Sequence, residues 1–567
     1  MNKERGQNRV SYNIFLMLCI YLVSTLILSF IIQILNCSHI FFIVEIISVI
    51  VPVILLLRKR TKSNIVSALI YLMIVLLLPF IASRTYDITV DGNSYHKPAI
   101  AYIKNGWNPL YETMDSFSER TDYVKELTTE SRSSLWIEHY PKSAWTISAA
   151  MYSLSGNIES GKAFTWILII MALLLAYDTL SKIVRKKAAL VFSLLLALNP
   201  ITLAQFNTFY VDAAMGLCFL MELLLLFQID SHKYRDKKLW FCLAAVVMVF
   251  SNLKFTGLVF SGIIATIFFF YWIIINRKQK NKKQIYRNIF LSFTAIFLAS
   301  IGIIGANSYI KNTIEHHQPL YPLVGDPTVD IVTYMQPKEF NNMSFIKKKF
   351  YSLFSRTANV TYADVIPQLK NPLRVYFSEL EPLSLPDTRI GGFGPWFALA
   401  TIVTTIFLVP ALVILVKNEK QSLKYILLTA IPIIISIVTL SESWWARYVP
   451  QEYFLVIGSL LLAYYASRYV KHKKIYNSAL SAPFLIVFIN MAVFICAGVA
   501  RIIVDNGIYS DIVKLKQIDS PTISIPSKLT GYEYTLDDNG VNYILVDDIP
   551  DEQASNLYSY MIELKNE

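Results

Sequence analysis

Runs of mostly apolar residues recur along the chain at 14–35, 40–57, 65–82, 163–180, 188–204, 213–229, 239–252, 256–275, 288–307, 396–416, 424–440, 452–467 and 480–501. Most reach about 17 residues or more, enough for a helix to cross a hydrocarbon layer about 30 Å thick. The pattern predicts an all-α polytopic membrane protein with about 13 transmembrane helices. Between the runs, the basic stretches at 58–60, 185–187, 233–238, 277–283, 417–424 and 468–474 all fall on the side of the N-terminus. Basic loops are held in the cytoplasm, so that side is assigned to the cytoplasm and the C-terminus to the extracytoplasmic side of a plasma membrane. The first run follows a basic stretch without a small-residue cleavage site and is read as a retained helix.

Three polar regions then share the outer side: 83–162, 308–395 and the tail from 502. Residues 143–154 are apolar but short, and crossing would move Arg185, Lys186 and Lys187 outside, so they are expected to form an interfacial helix lying on the outer face. The stretch 345–356 has apolar and basic residues at helical spacing and is also expected on the membrane surface. In the tail, 522–525 and 541–546 read as strands, Asp538-Asn-Gly540 as a turn and 551–564 as a helix. The expected organisation is a transmembrane module over 1–501 and a small α+β extracytoplasmic appendage over 502–567.

Composition agrees with this reading: 54% of the 567 residues are hydrophobic and 16% charged. The net charge of +12 does not point to nucleic acid, because the basic residues cluster in short loops between apolar runs. Cys19, Cys37, Cys218, Cys242 and Cys496 are isolated, which favours packing over a disulfide frame or metal site. Glu45 and Glu222 lie inside predicted spans and should face protein or a water-filled cavity.

The polar groups able to do chemistry gather on the predicted outer side. Asp91 follows the third run, Glu138-His-Tyr-Pro-Lys142 precedes the short apolar segment, and Asn199-Pro…Gln205…Tyr210-Val-Asp212 joins the fifth and sixth runs. Leu253-Lys-Phe-Thr-Gly257, His316-His-Gln-Pro-Leu-Tyr-Pro322 and Ala446-Arg-Tyr448 lie in later outer turns. Together with Gly106-Trp-Asn-Pro109, these pieces make residues 85–453 resemble the GT-C superfamily of polyprenyl-phosphate-sugar-dependent glycosyltransferases. That superfamily includes the protein O-mannosyltransferases and the aminoarabinose transferase of lipid A. Here the first large outer loop follows the third run and reads Asp91-Gly92, so two preceding helices look like an addition.

The resemblance implies a GT-C-like fold and transfer of a sugar from a polyprenyl-phosphate donor to a glycan, lipid or protein acceptor on the outer face. An ionised Asp91 would accept the acceptor's proton, with Asp212 orienting the acceptor, assisting the base or binding a divalent cation. The alternative is that each merely caps the helix after it. A leaving phosphate needs cations, and Arg447, Lys142 and Lys254 are the donor-phosphate candidates because basic residues on the outer side run against the topological bias. Snorkelling to headgroups is the alternative for the lysines. Tyr95, His96, Trp107, Gln205, Tyr210 and Tyr448 are expected to line the substrate site, with a place in an interfacial aromatic belt as the alternative for Trp107. Glu138, His139, His316 and His317 could hold a divalent cation, the one candidate cofactor, or be ordinary interfacial residues. Ile-, Lys- and Asn-rich usage points to a bacterial chain and an undecaprenyl carrier. A polymerase or ligase joining lipid-linked glycans, and a lipid or solute transporter, remain alternatives.

Overall fold

The computed structural model describes residues 4–121, 132–325, 328–329, 335–359, 364–526, 528–550, 554–557 and 562–565. It is 71% helical, with one small sheet. Among the described residues, eight helices are long and apolar enough to cross a membrane: Val10–Ile34, Lys62–Ala82, Ile158–Leu180, Asp212–Ser231, Phe255–Asn276, Lys282–Ile304, Phe397–Asn418 and Lys473–Leu515. The apolar helices Phe41–Leu57 and Ser422–Val438 are shorter. The chain is built as a multi-pass membrane protein.

Every predicted run falls on helix, yet not every run is one long helix. The run 188–204 divides into Lys186–Ala197 and Pro200–Gln205. Pro200 has no N–H to continue the ladder, and the Asn199 side chain starts the second piece by accepting from the Thr202 N–H at 3.0 Å. Asp212–Ser231 is the central helix: 94% of its apolar window is buried, as its all-round apolar pattern requires. Glu222 on this helix and Glu45 on Phe41–Leu57 are both buried against protein, with the Tyr21 hydroxyl donating to Glu45 at 2.9 Å.

The interhelical turns sort into two ends. At one end Gln228 donates to Asp178 (3.1 Å), Lys424 stands 3.6 Å from Asp230, and Arg468 donates to the Ile183 carbonyl (2.5 Å). At the other end Thr85 donates to Asn207 (2.7 Å), the Ser143 N–H to the Asn252 carbonyl (2.9 Å), and Ser308 to the Tyr140 carbonyl (2.7 Å). Turns that charge patterning places on one side thus bond to one another.

Two expectations about the polar regions need correction. The segment 143–154 forms the helix Ser143–Ser155, but its residues from Ser143 to Tyr152 are all buried, so it does not lie on a surface. Its run of Ala and Ser side chains allows close approach on every side, and its first N–H and hydroxyl bond to the end of Lys237–Ser251. The helix Lys97–Lys104 after Asp91 is buried for the same reason, through Ala99 and Ala101. The end of the tail is strand rather than helix in its described parts. There β1 (Thr522–Ser524), β2 (Ile544–Val546), β3 (Ala554–Asn556) and β4 (Glu563–Lys565) form one sheet in the order β2-β1-β4-β3. β1 and β2 run parallel, connected through the helix Gly531–Asp538, and the turn before β2 has Gly540 at φ +67°. Antiparallel pairing of β4 with β1 and β3 decided the end of the chain, which its local pattern did not reveal.

The tail is packed on the region 83–162. Tyr532 donates to the Ile88 carbonyl at 3.0 Å, and Tyr152 donates to Asp538 at 2.7 Å. Between them lies a buried ion cluster: Glu159 lies 2.6 Å from Lys97 and 2.8 Å from Lys162, and Lys97 also donates to the Asp87 carbonyl and to Thr535.

Candidate active site

Arg447 is the hub of the turn-rich end. It sits in a short turn between Ser422–Val438 and Tyr453–Ala466, fixed by its own N–H donating to the Thr388 carbonyl at 3.0 Å. Its Nη1 is 3.1 Å from Asp91 and 3.7 Å from Asp212, and its Nε is 3.1 Å from Asp387. Tyr210, Trp445 and Tyr448 surround the guanidinium, their ring centroids 4.9, 5.1 and 5.2 Å from its central carbon. Burial opposes the charge of Arg447, but Asp387, Tyr448, Asp212 and Asp91 together hold its pKa well above the usual value.

Each carboxylate reaches the hub from a different part of the chain. Asp212 opens the central helix, is 3% exposed, and is 2.5 Å from Lys254 and 3.3 Å from the Gln205 amide nitrogen. Lys254 starts Phe255–Asn276 and lies over the Tyr448 ring at 5.0 Å. The Gln205 oxygen accepts the Ala213 N–H, so the bond expected of a capping side chain at this helix start comes from Gln205 instead of Asp212. Asp91 is more accessible, at 26% exposed, and makes no capping bond to the turn Gly92–His96. Its Oδ2 faces Arg447 and accepts from Tyr95 at 3.4 Å. The capping alternative therefore fails for both aspartates.

The sequence reading missed Asp387. Its two oxygens accept from Trp445 Nε1 (2.8 Å) and Arg389 Nε (3.0 Å), and the Arg389 guanidinium stacks 3.9 Å over Trp445. An Asp and an Arg two apart in a proline-flanked loop, Leu385-Pro-Asp-Thr-Arg389, were the only sequence signal. Tyr140 was also missed; its ring meets Phe255, the residue after Lys254, edge-on at 5.3 Å, and burial, Tyr448 and Asp91 raise its pKa.

His96 lies beside this cluster, its Nδ1 accepting from Trp145 at 2.7 Å. Burial, with help from Lys254, lowers its pKa to about 3 and keeps it neutral. Two other expectations are corrected. The Lys142 ammonium donates to the Glu138 and Tyr140 carbonyls (both 2.8 Å) and to Ser308 (3.4 Å), so its three N–H groups are already engaged. Burial holds its pKa well below the usual value, making it a structural lysine instead of a phosphate ligand. Trp107 is fully buried in a core cluster and lines no substrate surface.

Of the candidate metal set, His139 and His316 meet with ring centroids 4.9 Å apart, but the four do not form one ligand group. Glu138 faces Lys311 at 3.5 Å, His139 shares a hydrogen bond with Asn312 at 2.9 Å, and His316 stacks on Tyr321 with centroids 3.7 Å apart. His317 ends its helix at φ +54°. Among the described residues no group of three potential ligands is suited to a metal ion.

Asp91, Asp212 and Asp387 against Lys254, Arg389 and Arg447 make a cluster of three anions and three cations. It is neutral overall, arginine-centred and ringed by aromatic side chains, with one carboxylate open to the outside. Such a site can receive an anionic group at Arg447 and a proton at Asp91. The chain matches no protein-family model and no curated protein.

Proposed function

We propose that the protein is a GT-C-like integral-membrane glycosyltransferase with about 13 membrane crossings and its site on the extracytoplasmic side of the plasma membrane. It moves a sugar from a polyprenyl-phosphate donor, undecaprenyl phosphate by the chain's bacterial usage, to a cell-envelope glycan, lipid or protein. The observation that carries this reading is the contact of Arg447 with Asp91, the most accessible member of a largely buried charge cluster.

The charge balance orders the steps. A donor phosphate can take Arg447 Nη1 only by displacing its weakest-held partner, and Asp91 is the most exposed of the three aspartates. Asp212 and Asp387 stay paired with Lys254 and Arg389. Released from Arg447, Asp91 accepts the proton of the acceptor hydroxyl as its oxygen attacks the sugar's anomeric carbon. The bond from that carbon to the phosphate oxygen breaks, and the electron pair leaves with the polyprenyl phosphate, whose charge Arg447 and Lys254 stabilise. Displacement in line inverts the anomeric centre.

Purified protein incubated with a panel of radiolabelled polyprenyl-phosphate sugars tests the reading. Transfer is expected from one or a few of them, falling by about 10²-fold or more in Asp91→Asn with thermal stability near wild type. Transfer only from lipid-linked oligosaccharides would favour a polymerase or ligase. An Asp91→Asn protein of full activity would remove Asp91 from catalysis.

A further inference from the structure

Outer region 308–395 carries large apolar side chains that no described residue covers. Ile346 is 76% exposed, Leu373 73% and Phe377 92%, with Phe350 and Leu369 about half exposed. They belong to one surface. The helix Phe345–Phe354 leads into a backbone pairing in which Lys370 N–H donates to the Phe354 carbonyl and Arg356 N–H to the Gln368 carbonyl. This ties residues 368–370 to the C-terminal end of the helix. Lys347 and Arg374, both exposed, flank the apolar side chains.

The height of this surface follows from what lies below it. Leu380 and Leu383, just after Phe377, pack on Met491 and Phe494 of the long helix Lys473–Asp505. Phe494 precedes Arg501, the first charged residue after the apolar stretch, by about two turns, or about 10 Å along the axis. Deeper still, Asn490 holds the Phe393 carbonyl at 2.8 Å and the Trp396 N–H at 3.3 Å. The neighbouring helix Phe397–Asn418 continues outward-facing apolar residues at Ile402, Ile406 and Val409. The helix Phe345–Phe354 touches this helix, so the exposed side chains of the loop stand near the face that Ile402, Ile406 and Val409 turn outward.

We infer that the helix Phe345–Phe354 and the segment 366–377 are seated in the adjacent leaflet of the bilayer, with Ile346, Phe350, Leu373 and Phe377 in hydrocarbon and Lys347 and Arg374 at anionic headgroups. The inference rests on the multi-pass architecture and does not depend on sugar transfer. Its consequence reaches the hub: Lys349 pairs with Glu452 and donates to the Ser443 carbonyl at 2.7 Å, and Ser352 donates to the Trp444 carbonyl at 2.5 Å. The seated helix thereby fixes the height of the Trp444–Arg447 turn relative to the lipid surface.

The test uses full-length protein reconstituted at one copy per nanodisc containing anionic lipid, with an environment-sensitive fluorophore on Phe377→Cys or Ile346→Cys. Signal from protein without the introduced cysteine is subtracted, and Asn542→Cys, exposed in the tail, is the aqueous reference. Quenching by a nitroxide placed shallowly on the lipid chain, with a severalfold lower iodide quenching constant than at position 542, is expected. The paired change Leu373→Asp and Phe377→Asp should leave thermal stability in detergent unchanged, because both side chains are exposed, while returning the label at position 346 to iodide. Iodide quenching of Phe377→Cys equal to the reference, with no nitroxide effect, would overturn the inference. So would shielding that appears only when several copies share one bilayer, since a second copy would then cover the surface.

Discussion

Arg447 is surrounded by more negative charge than it can balance alone, so it holds the cluster together as well as offering the proposed phosphate contact. Arg447→Ala would leave the buried Asp212 and Asp387 with Lys254 and Arg389 but without their common centre, at a cost of about 3–5 kcal/mol. Arg447→Lys should restore much of that stability while recovering donor use only in part, because an ammonium cannot bridge Asp387 and a phosphate as a guanidinium fork can. Thermal unfolding in detergent and the donor KM separate the two effects; equal donor KM for Lys and Arg would remove the fork from the account. His96 gives a second expectation at this scale. Its folded pKa is lowered from 6.5 to about 3, so the unfolded chain takes up this proton first and stability falls as pH drops from 6.5 towards 3. The slope of melting temperature against pH in that window should flatten in His96→Gln, whose side-chain oxygen can still accept from Trp145.

Among the elements, the turn that presents Asp91 depends on contacts distant in sequence. A Cβ on Gly531, at the start of the tail helix Gly531–Asp538, would lie 2.6 Å from Asn93 Cα and 2.7 Å from its carbonyl oxygen. Both atoms are backbone, so no side chain can swing aside. Gly531→Ala should therefore shift the Asp91 turn and reduce transfer severalfold while the tail sheet stays folded. Activity compared with protease resistance of the tail checks this: wild-type activity in a folded variant would show that the turn does not need the tail. The tail's role would then be confined to covering the apolar surface around Tyr86, Ile508 and Tyr532.

For the whole molecule, the division of turns between two ends makes sidedness testable. Cysteines at Ser118 and Asn542 should react with an impermeant maleimide on intact cells or spheroplasts, and cysteines at the exposed Lys186 and Lys278 only after lysis. The reverse pattern would invert the orientation and place the Arg447 cluster in the cytoplasm, although the grouping of residues within each end would stand.

The sequence by itself determined the helical runs and their sorting into two ends, because length, hydropathy and loop charge are local properties that a bilayer reads directly. It also made Asp91, Asp212, Lys254 and Arg447 legible, since charged residues beside apolar runs are costly unless they have a partner. Only the tertiary structure decided which of these meet. Lys142 and Trp107 carry the same local signals as Lys254 and Tyr448, yet packing turns them into the interior, whereas Asp387 comes from a loop with no periodicity and is made important by the guanidinium it faces. Ser143–Ser155 shows the same limit: a short helix of small apolar residues fits a membrane surface or a protein core equally well, and long-range contacts chose the core. Pairwise contacts between distant segments fix such choices, and no local pattern encodes them.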